Sequence, residues 1–273
     1  MNLRRDSAIN YLILGFFAVI ALFPLLGVLS SALTSPSESS ASLSFPSSLH
    51  FSNFVTAWHQ GHFSEYMRSS AIVTVSVVVL SGVLAILAGY AFATMEFRGR
   101  SVLFYVLLLG LMVPEEALVI PLYFDLRGVG LTDTYWALIL PQAAQSLAFS
   151  TFWMRTFFRG VPGSLLEAAR IDGANSWSVL WRILVPISRP ALLTMAMLVF
   201  MWTWNDFLFP LVMISTEKLR TAPLGLAFFQ GQHTSQFSLL AAGATIVALP
   251  VVVLYFFLQR HFISGMLSGA VKE

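Results

Sequence analysis

Long apolar runs separated by shorter polar segments make up the hydrophobic pattern of this chain. A run of about twenty apolar residues can cross roughly 30 Å of hydrocarbon as an α-helix. Six runs of that kind occur, so the pattern predicts six transmembrane helices with approximate ends. The predicted spans are Ile9–Ser31, Ser69–Met95, Ser101–Phe124, Tyr135–Phe157, Ala191–Ile214 and Leu239–Leu258.

Composition supports a membrane protein. The 273 residues are 57% hydrophobic and 10% charged, which is too little polar surface for a soluble domain of this size. Arg4 and Arg5 precede the first run as in a signal peptide, but the run is too long for one and five more follow, so we expect it to be retained. The prediction is an all-α integral membrane protein forming one transmembrane domain over residues 1–273.

Basic residues predict the orientation of the spans. Alternate polar segments hold eleven of the fifteen Lys and Arg residues, and the other segments hold only Arg68, Arg127, Lys218 and Arg220. Because positive charge favours the cytoplasmic side, both termini and residues 159–190 are predicted to be cytoplasmic. The basic residues are scattered, so the net charge of +2 does not indicate nucleic-acid binding.

Two segments on the opposite side are expected to be extracytoplasmic loops. Residues 32–68 are rich in Ser and Pro, with a short amphipathic piece near Phe51–Trp58, and residues 215–238 combine polar and aromatic side chains. Each segment could contact a partner protein or be an ordinary solvated loop.

The cytoplasmic segment predicts a helix, a hinge and a second helix. Ser164 and Glu167 have capping-box spacing, Leu165–Asp172 favours helix, and Gly173 suits a helix end. Asn175 or Ser176 can cap the second helix. Pro186 and Pro190 are expected to break the chain before the next span.

This segment resembles the cytoplasmic signature of the membrane-spanning subunits of bacterial ABC importers, which is Glu-Ala-Ala, then Gly, then Ile-x-Leu-Pro. Val185 replaces the usual leucine, and nine residues separate the glycine from the isoleucine. The matching residues are Glu167, Ala168, Ala169, Gly173, Ile183 and Pro186.

Further stretches are similar to the carbohydrate-uptake branch of that family (maltose and multiple-sugar type), in particular to the second of its two paired permeases. They are "YAFATMEFRGR", "IPLYFDLRGVGLTDTYWALILP", "WNDFLFPL" and "YFFLQRHFISGMLSGAVKE".

The resemblance implies a type I ABC importer permease in the bacterial cytoplasmic membrane, surrounded by lipid. It implies a coupling helix that docks on a separate ATPase, which binds ATP and Mg while this chain binds no cofactor. The implied partners are a second permease, two ATPase subunits or domains and an extracytoplasmic sugar-binding protein. The implied docking residues are Glu167, Ala168, Ala169, Arg170, Asp172 and Gly173.

Polar residues within the spans suggest a substrate pathway. Charged groups at membrane depth are costly and are functional candidates by default. Counting 1.5 Å per residue along straight helices puts carboxylates of spans three and five and amides of span four at a similar depth. These groups could bind sugar hydroxyls, join helices by hydrogen bonds or be hydrated at the mouth of the pathway. Pro114 is expected to kink the third span at this level. The candidates are Glu115, Glu116, Gln142, Gln145, Trp202, Asn205 and Asp206, with Trp204 and Tyr123 as further stacking surfaces.

An enzymatic function is not expected. The sequence has no G-x-x-x-x-G-K-S/T loop for ATP and no cysteine, and its five histidines lie outside the predicted spans, so we assign neither catalysis nor a metal. The alternative to an importer subunit is a self-contained secondary transporter or channel using Glu115, Glu116 and Asp206 as ion sites.

Overall fold

The computed structural model describes residues 3–35, 48–229 and 236–270, and every regular element in those ranges is helical. The predicted all-α fold is therefore confirmed. The helices are α1 Leu3–Leu33, α2 Ser52–Gln60, α3 Phe63–Thr94, α4 Arg100–Leu109, α5 Glu115–Gly128, α6 Tyr135–Arg159, α7 Gly163–Ile171, α8 Ser176–Ile187, α9 Arg189–Asn205, α10 Leu208–Met213, α11 Ala222–Gly225 and α12 Phe237–Ala270.

Within the described residues, three continuous helices are long and apolar enough to cross a membrane, and they match the first, second and sixth predicted spans. They are Asn10–Leu33, Phe63–Thr94 and Phe237–Gln259. The fourth predicted span is the single helix α6, whose 25 residues would also suffice by length. Buried polar side chains such as Gln142 and Ser150 make α6 less apolar than the other three.

The third predicted span is bent at Pro114, and the fifth, Ala191–Ile214, is interrupted at Asp206, so neither is one straight helix. The chain bends by 99° between α4 and α5, where Val113 and Pro114 are extended and Pro114 has no N–H to continue the helix. The chain also bends by 76° between α8 and α9. A further interruption follows α9 at Asp206, which has ψ 129°, and α10 begins at Leu208.

The chain divides into two compact units. The first unit comprises Met1–Ser64 and Ala222–Pro250. Within it, the buried Asn53 of α2 donates hydrogen bonds of 2.9 Å to the carbonyl oxygens of Ala32 and Thr34, which fixes α2 to the end of α1. Helix α2 confirms the amphipathic piece predicted near Phe51–Trp58.

The predicted extracytoplasmic loops are described only in part. Residues 36–47 of the first loop and residues 230–235 of the second lie outside the described residues. In the described part of the second loop, Phe229 stacks on Phe63 with ring centroids 6.3 Å apart. Aromatic residues of this loop thus contribute to the core of the first unit.

The second unit comprises Glu65–Thr221 and Val251–Glu273, and it has two buried cores. One core joins α3, α5, α6, α9 and α10 through residues that include Val77, Leu138, Val199 and Phe209. The other core joins α3 and α6 to α7, α8 and α9. The second core is therefore the base on which the cytoplasmic segment is built.

A close backbone approach holds α3 against α6. A Cβ atom added at Gly89 would lie 2.8 Å from Cβ of Met154 and 3.0 Å from the backbone N of Arg155, which is closer than real Cβ atoms come. At Gly82, two turns earlier, the nearest atom would be Cε of Met195 at 3.5 Å, an ordinary contact. Small residues allow membrane helices to approach in this way.

We predict that Gly89→Ala destabilises the chain by about 1–3 kcal/mol, because the methyl group must push two backbones apart. Gly82→Ala is the matched control on the same helix and should be neutral or slightly stabilising, since alanine favours helix. Thermal unfolding of the two variants in detergent measures the difference, and equal midpoints would contradict the close approach.

A clamp at Asp133 connects the α5–α6 turn to the segment after α10. Asp133 adopts φ 60°, and its carboxylate accepts hydrogen bonds from the backbone N–H of Ser215 at 2.9 Å and from the N–H and hydroxyl of Thr216 at 2.8 and 2.6 Å. The Thr216 donors hold the pKa of this carboxyl below its ordinary value of 3.8. The charged form is therefore the one that the fold favours.

We predict that Asp133→Asn lowers the unfolding temperature at neutral pH, and that its difference from wild type disappears in acid. A depressed folded-state pKa stabilises the fold above the unfolded-state value, and this stabilisation is lost as the pH falls through the folded-state value. Asparagine also tolerates positive φ, so the comparison isolates the charge. Unfolding temperatures between pH 7 and pH 3 test this, and a constant difference would contradict it.

Candidate functional site: a polar cavity and an exposed loop

A polar cavity of about 670 Å³ lies where the broken helices of the second unit meet α6. One wall is the interruption between α4 and α5, a second is α6, and a third is the end of α9 with the interruption that follows. The polar and aromatic lining residues are Glu115, Gln142, Gln145, Ser146, Phe149, Trp202, Thr203, Asn205 and Asp206.

Hydrogen-bonding side chains form one part of this lining. Glu115 accepts a hydrogen bond of 3.4 Å from Nε2 of Gln145. Oδ1 of Asp206 accepts from the backbone N–H groups of Leu208 at 3.1 Å and Phe209 at 3.4 Å, which supports the start of α10. Oδ2 of Asp206 and Oε1 of the 5% exposed Gln142 are buried and have no donor within the described residues. These two oxygen atoms are closed off from solvent, whereas the carboxylate of Glu115 is only partly buried and remains an accessible acceptor in the lining.

Aromatic rings form the other part of the lining. Trp202 is 50% exposed, and its ring meets Phe149 edge to face with centroids 4.8 Å apart. Trp204 is buried and stacks on Phe200, and neither Trp204 nor Tyr123 lines the cavity. Of the stacking surfaces that the sequence suggested, Trp202 is the one beside the polar groups.

The structure brings together six of the seven predicted pathway residues. Glu116 is exposed and does not line the cavity, whereas its neighbour Glu115 does. Asn205 lines the cavity while its amide donates to the carbonyl of Met201 at 2.8 Å. The depth estimate assumed a straight third span and is wrong on that point, because the 99° bend precedes Glu115.

Sequence reasoning missed Ser146 and Phe149, which also line the cavity. Both follow Gln142 at helical spacing, four and seven residues on, so the face that carries the two glutamines would have identified them. Thr203 was missed as well, and no pattern in the sequence singles it out.

The cytoplasmic loop starts without the capping box that was expected. Helix α7 begins at Gly163 after Pro162, with no side-chain cap, so the prediction for Ser164 and Glu167 is wrong. Ser164 is already inside the first helical turn, where its hydroxyl cannot take the N-cap role.

The hinge after α7 is confirmed. Gly173 has φ 81°, and its N–H donates to the carbonyl oxygen of Arg170 at 3.0 Å. The N–H of Ala174 donates to the carbonyl oxygen of Ala169 at 2.9 Å. This pair of hydrogen bonds is a Schellman motif, which requires a left-handed residue at the glycine. Asn175 then caps α8 through its side-chain oxygen, 2.9 Å from the N of Ser178.

Helix α8 continues further than the prolines suggested. Val179–Leu184 is a π-helical segment, and Pro186 lies in the helical turn that follows it, so the expected break at Pro186 is wrong. The bend occurs at Ser188 instead, and Pro190 occupies the first turn of α9, where a missing N–H costs nothing.

The loop has an inner and an outer face. Ala169 is 8% exposed and belongs to the same buried core as Phe158 and Leu180. The other five predicted docking residues are exposed: Glu167, Ala168, Arg170, Asp172 and Gly173. Ile171 was not predicted, yet it is 86% exposed, which is unusual for an isoleucine.

No group of three or more His, Asp or Glu residues in the described ranges could hold a metal ion, and the chain has no cysteine. The arrangement offers hydrogen bonding, stacking and docking.

Comparison with known proteins identifies the family. The family described as "Binding-protein-dependent transport system inner membrane component" matches residues 81–268. The probable ABC transporter permease protein YurM of Bacillus subtilis is 39% identical over 94% of this chain and 86% of its own length. The arabinooligosaccharides transport system permease protein AraQ of Halalkalibacterium halodurans is 35% identical over 94% of this chain and 93% of its own.

The trehalose transport system permease protein SugB of Mycobacterium tuberculosis is 34% identical, with all of both chains covered. Among solved structures, a chain of a bacterial ABC transporter involved in the import of the acidic polysaccharide alginate has the same fold. Its TM-score is 0.79 at 24% identity, over 95% of this chain and 97% of that one. These matches do not support the alternative of a self-contained secondary transporter or channel. The chain belongs to the family of inner membrane components of binding-protein-dependent transport systems.

Proposed function

We propose that this chain is a permease subunit of an ATP-driven sugar importer in the bacterial cytoplasmic membrane, and that it forms half of the translocation pathway. The observation that carries the proposal is the loop Gly163–Ile187, which is anchored on its inner face and exposed on its outer face. Relatives named as arabinooligosaccharide and trehalose permeases support sugar as the transported class.

The importer needs partner subunits in addition to this chain. A second permease completes the pathway, two ATPase subunits or domains bind ATP and Mg, and an extracytoplasmic sugar-binding protein delivers the substrate. A solved structure of the same fold is that of a bacterial alginate ABC transporter in complex with an alginate pentasaccharide-bound periplasmic protein, which supports the last of these partners.

The loop is well placed to convert ATPase movement into movement of the cavity walls. It joins α6 to α9, and both of these helices line the cavity. Near the loop, Nε1 of Trp153 in α6 donates to the carbonyl of Ala191 in α9 at 3.0 Å, and further along Phe149 meets Trp202. A push on the loop therefore acts on two connected walls, and differential binding of the ATPase to two states would shift their populations.

We predict that Ile171→Asp prevents the ATPase from docking. Ile171 protrudes from the outer face of α7, and a buried interface anchor contributes about 2 kcal/mol or more, so co-purified ATPase activity should fall by roughly thirtyfold or more. The folded chain should be unaffected, because the side chain is 86% exposed.

The matched control is Val129→Asp, which alters a 69% exposed aliphatic residue on the side predicted to be extracytoplasmic. Purification of the full chain from its native membrane, followed by ATPase assay of the eluate, compares the two variants. Equal recovery of ATPase with Ile171→Asp and wild type would refute the docking assignment.

The cavity is proposed as this chain's part of the sugar pathway. Sugar hydroxyls can donate to the partly buried carboxylate of Glu115, and an apolar sugar face can stack on Trp202. The lining has two carboxylates and no Lys, Arg or His, so it suits neutral sugars better than acidic ones.

We predict that Glu115→Gln raises the KM for sugar transport about tenfold, because a hydrogen bond to a charged group contributes about 1.5–3 kcal/mol and glutamine keeps part of it. Glu116→Gln changes the adjacent carboxylate outside the cavity and should leave KM unchanged. Uptake of trehalose and arabinooligosaccharides by the reconstituted complex measures both variants. An equal change in KM for the two variants would contradict the assignment of Glu115 to the pathway.

A further inference from the structure

A basic groove of about 620 Å³ lies at the end of the second unit that is predicted to be cytoplasmic. It is formed by the segment after α3, the first turns of α4 and the last turns of α6. Its charged lining residues are Arg100, Arg155, Arg159 and Glu96. The proposed transport function uses none of these side chains.

Two of the arginines are held in position by the protein itself. Arg100 donates from Nη1 to the carbonyl oxygen of Met95 at 3.0 Å. Arg155 donates from Nε to the carbonyl oxygen of Phe92 at 3.2 Å, and its guanidinium lies 3.9 Å from the ring centroid of Phe104. These contacts fix the two half-buried guanidinium groups before any ligand arrives, which reduces the entropic cost of binding one.

Most of the donors in the groove are unused. Each guanidinium carries five N–H donors. Arg100 uses a second donor on the carbonyl of Ala93 at 3.5 Å, and within the described ranges no carboxylate pairs with any of the three arginines. Glu96 lines the groove but is exposed and forms no ion pair there. Three like charges side by side repel one another, so an anion with several oxygens would relieve the repulsion and occupy the free donors.

The surface beside the groove is apolar. Val102 and Tyr105 line the groove and are 65% and 66% exposed. Val106 and Leu109 extend the same exposed surface along α4 at helical spacing. A ligand that combines an anionic group with long hydrocarbon chains therefore matches both the groove and its continuation, whereas a free phosphate matches only the groove.

We infer that this groove binds the headgroup phosphate of an anionic phospholipid from the cytoplasmic leaflet, with its acyl chains along α4. Basic pockets between helices on that side of a membrane suit such headgroups. Arg159 is the last residue of α6, and α7 begins four residues later at Gly163. The bound lipid would thus sit where the cytoplasmic loop leaves the membrane.

The test compares phosphatidylglycerol with phosphatidylcholine as ligands of the purified full chain, using native mass spectrometry and lipid titration. Wild type should retain phosphatidylglycerol preferentially. Arg159→Gln should weaken that binding about fivefold, as expected for one arginine near an anionic headgroup. Arg159 is exposed and forms no hydrogen bond or ion pair with the described residues, so this variant should fold normally.

Arg189→Gln is the matched control, because Arg189 is an exposed arginine on the same predicted side but outside the groove. It should bind phosphatidylglycerol as wild type does, and Arg159→Lys should recover part of the affinity. Equal loss with Arg159→Gln and Arg189→Gln would overturn the proposal, because binding would then follow general surface charge. Full competition by millimolar inorganic phosphate would also overturn it in favour of a free-anion site, and equal retention of the two lipids would exclude selective binding of an anionic phospholipid.

Discussion

No water is present in hydrocarbon to hydrogen-bond a free backbone N–H or C=O, so a membrane chain can leave helical geometry only where protein or a hydrated cavity satisfies those groups. The interruptions at Val113–Pro114 and at Asp206 both line the same cavity of about 670 Å³. At the second interruption, the Asp206 carboxylate accepts hydrogen bonds from the backbone N–H groups of Leu208 and Phe209 at the start of α10. The helix breaks and the polar side chains therefore occur together, because the cavity and its polar groups satisfy the backbone groups that the breaks leave free.

Helix α6 is the continuous element between the two candidate sites. One stretch of it presents Gln142 and Phe149 to the cavity, and its later turns place Met154 and Phe158 in the core beneath the cytoplasmic loop. The tight contact of α3 at Gly89 supports α6 near Met154. Because packed helices shift as rigid bodies more readily than they deform, movement at one end of α6 is transmitted to the other.

The sequence predicted those features that depend on local chemistry. Apolar runs located the membrane helices. Gly173 was correctly predicted to end α7, because glycine adopts positive φ easily, and its observed φ is 81°. The kink at Pro114 was predicted from the proline, but its size of 99° was not, because it depends on the neighbouring groups that satisfy the freed backbone. The inward orientation of Ala169 was also out of reach, because it depends on packing against Leu180 and Phe158 in other helices. Glu115 and Glu116 look alike in sequence, and the bend between α4 and α5 decides which of them lines the cavity.

Helix α1 has consequences for how the protein is made. From Asn10 to Leu33 it is almost entirely exposed, and large side chains such as Leu12, Phe16 and Leu26 are more than half accessible. Within the first unit, α1 buries little of its surface, and a helix of this kind is stable once lipid surrounds it, as in the first stage of membrane-protein folding. Insertion of α1 during synthesis is then independent of tertiary structure, and its bare surface is left for lipid or for a neighbouring subunit that arrives later.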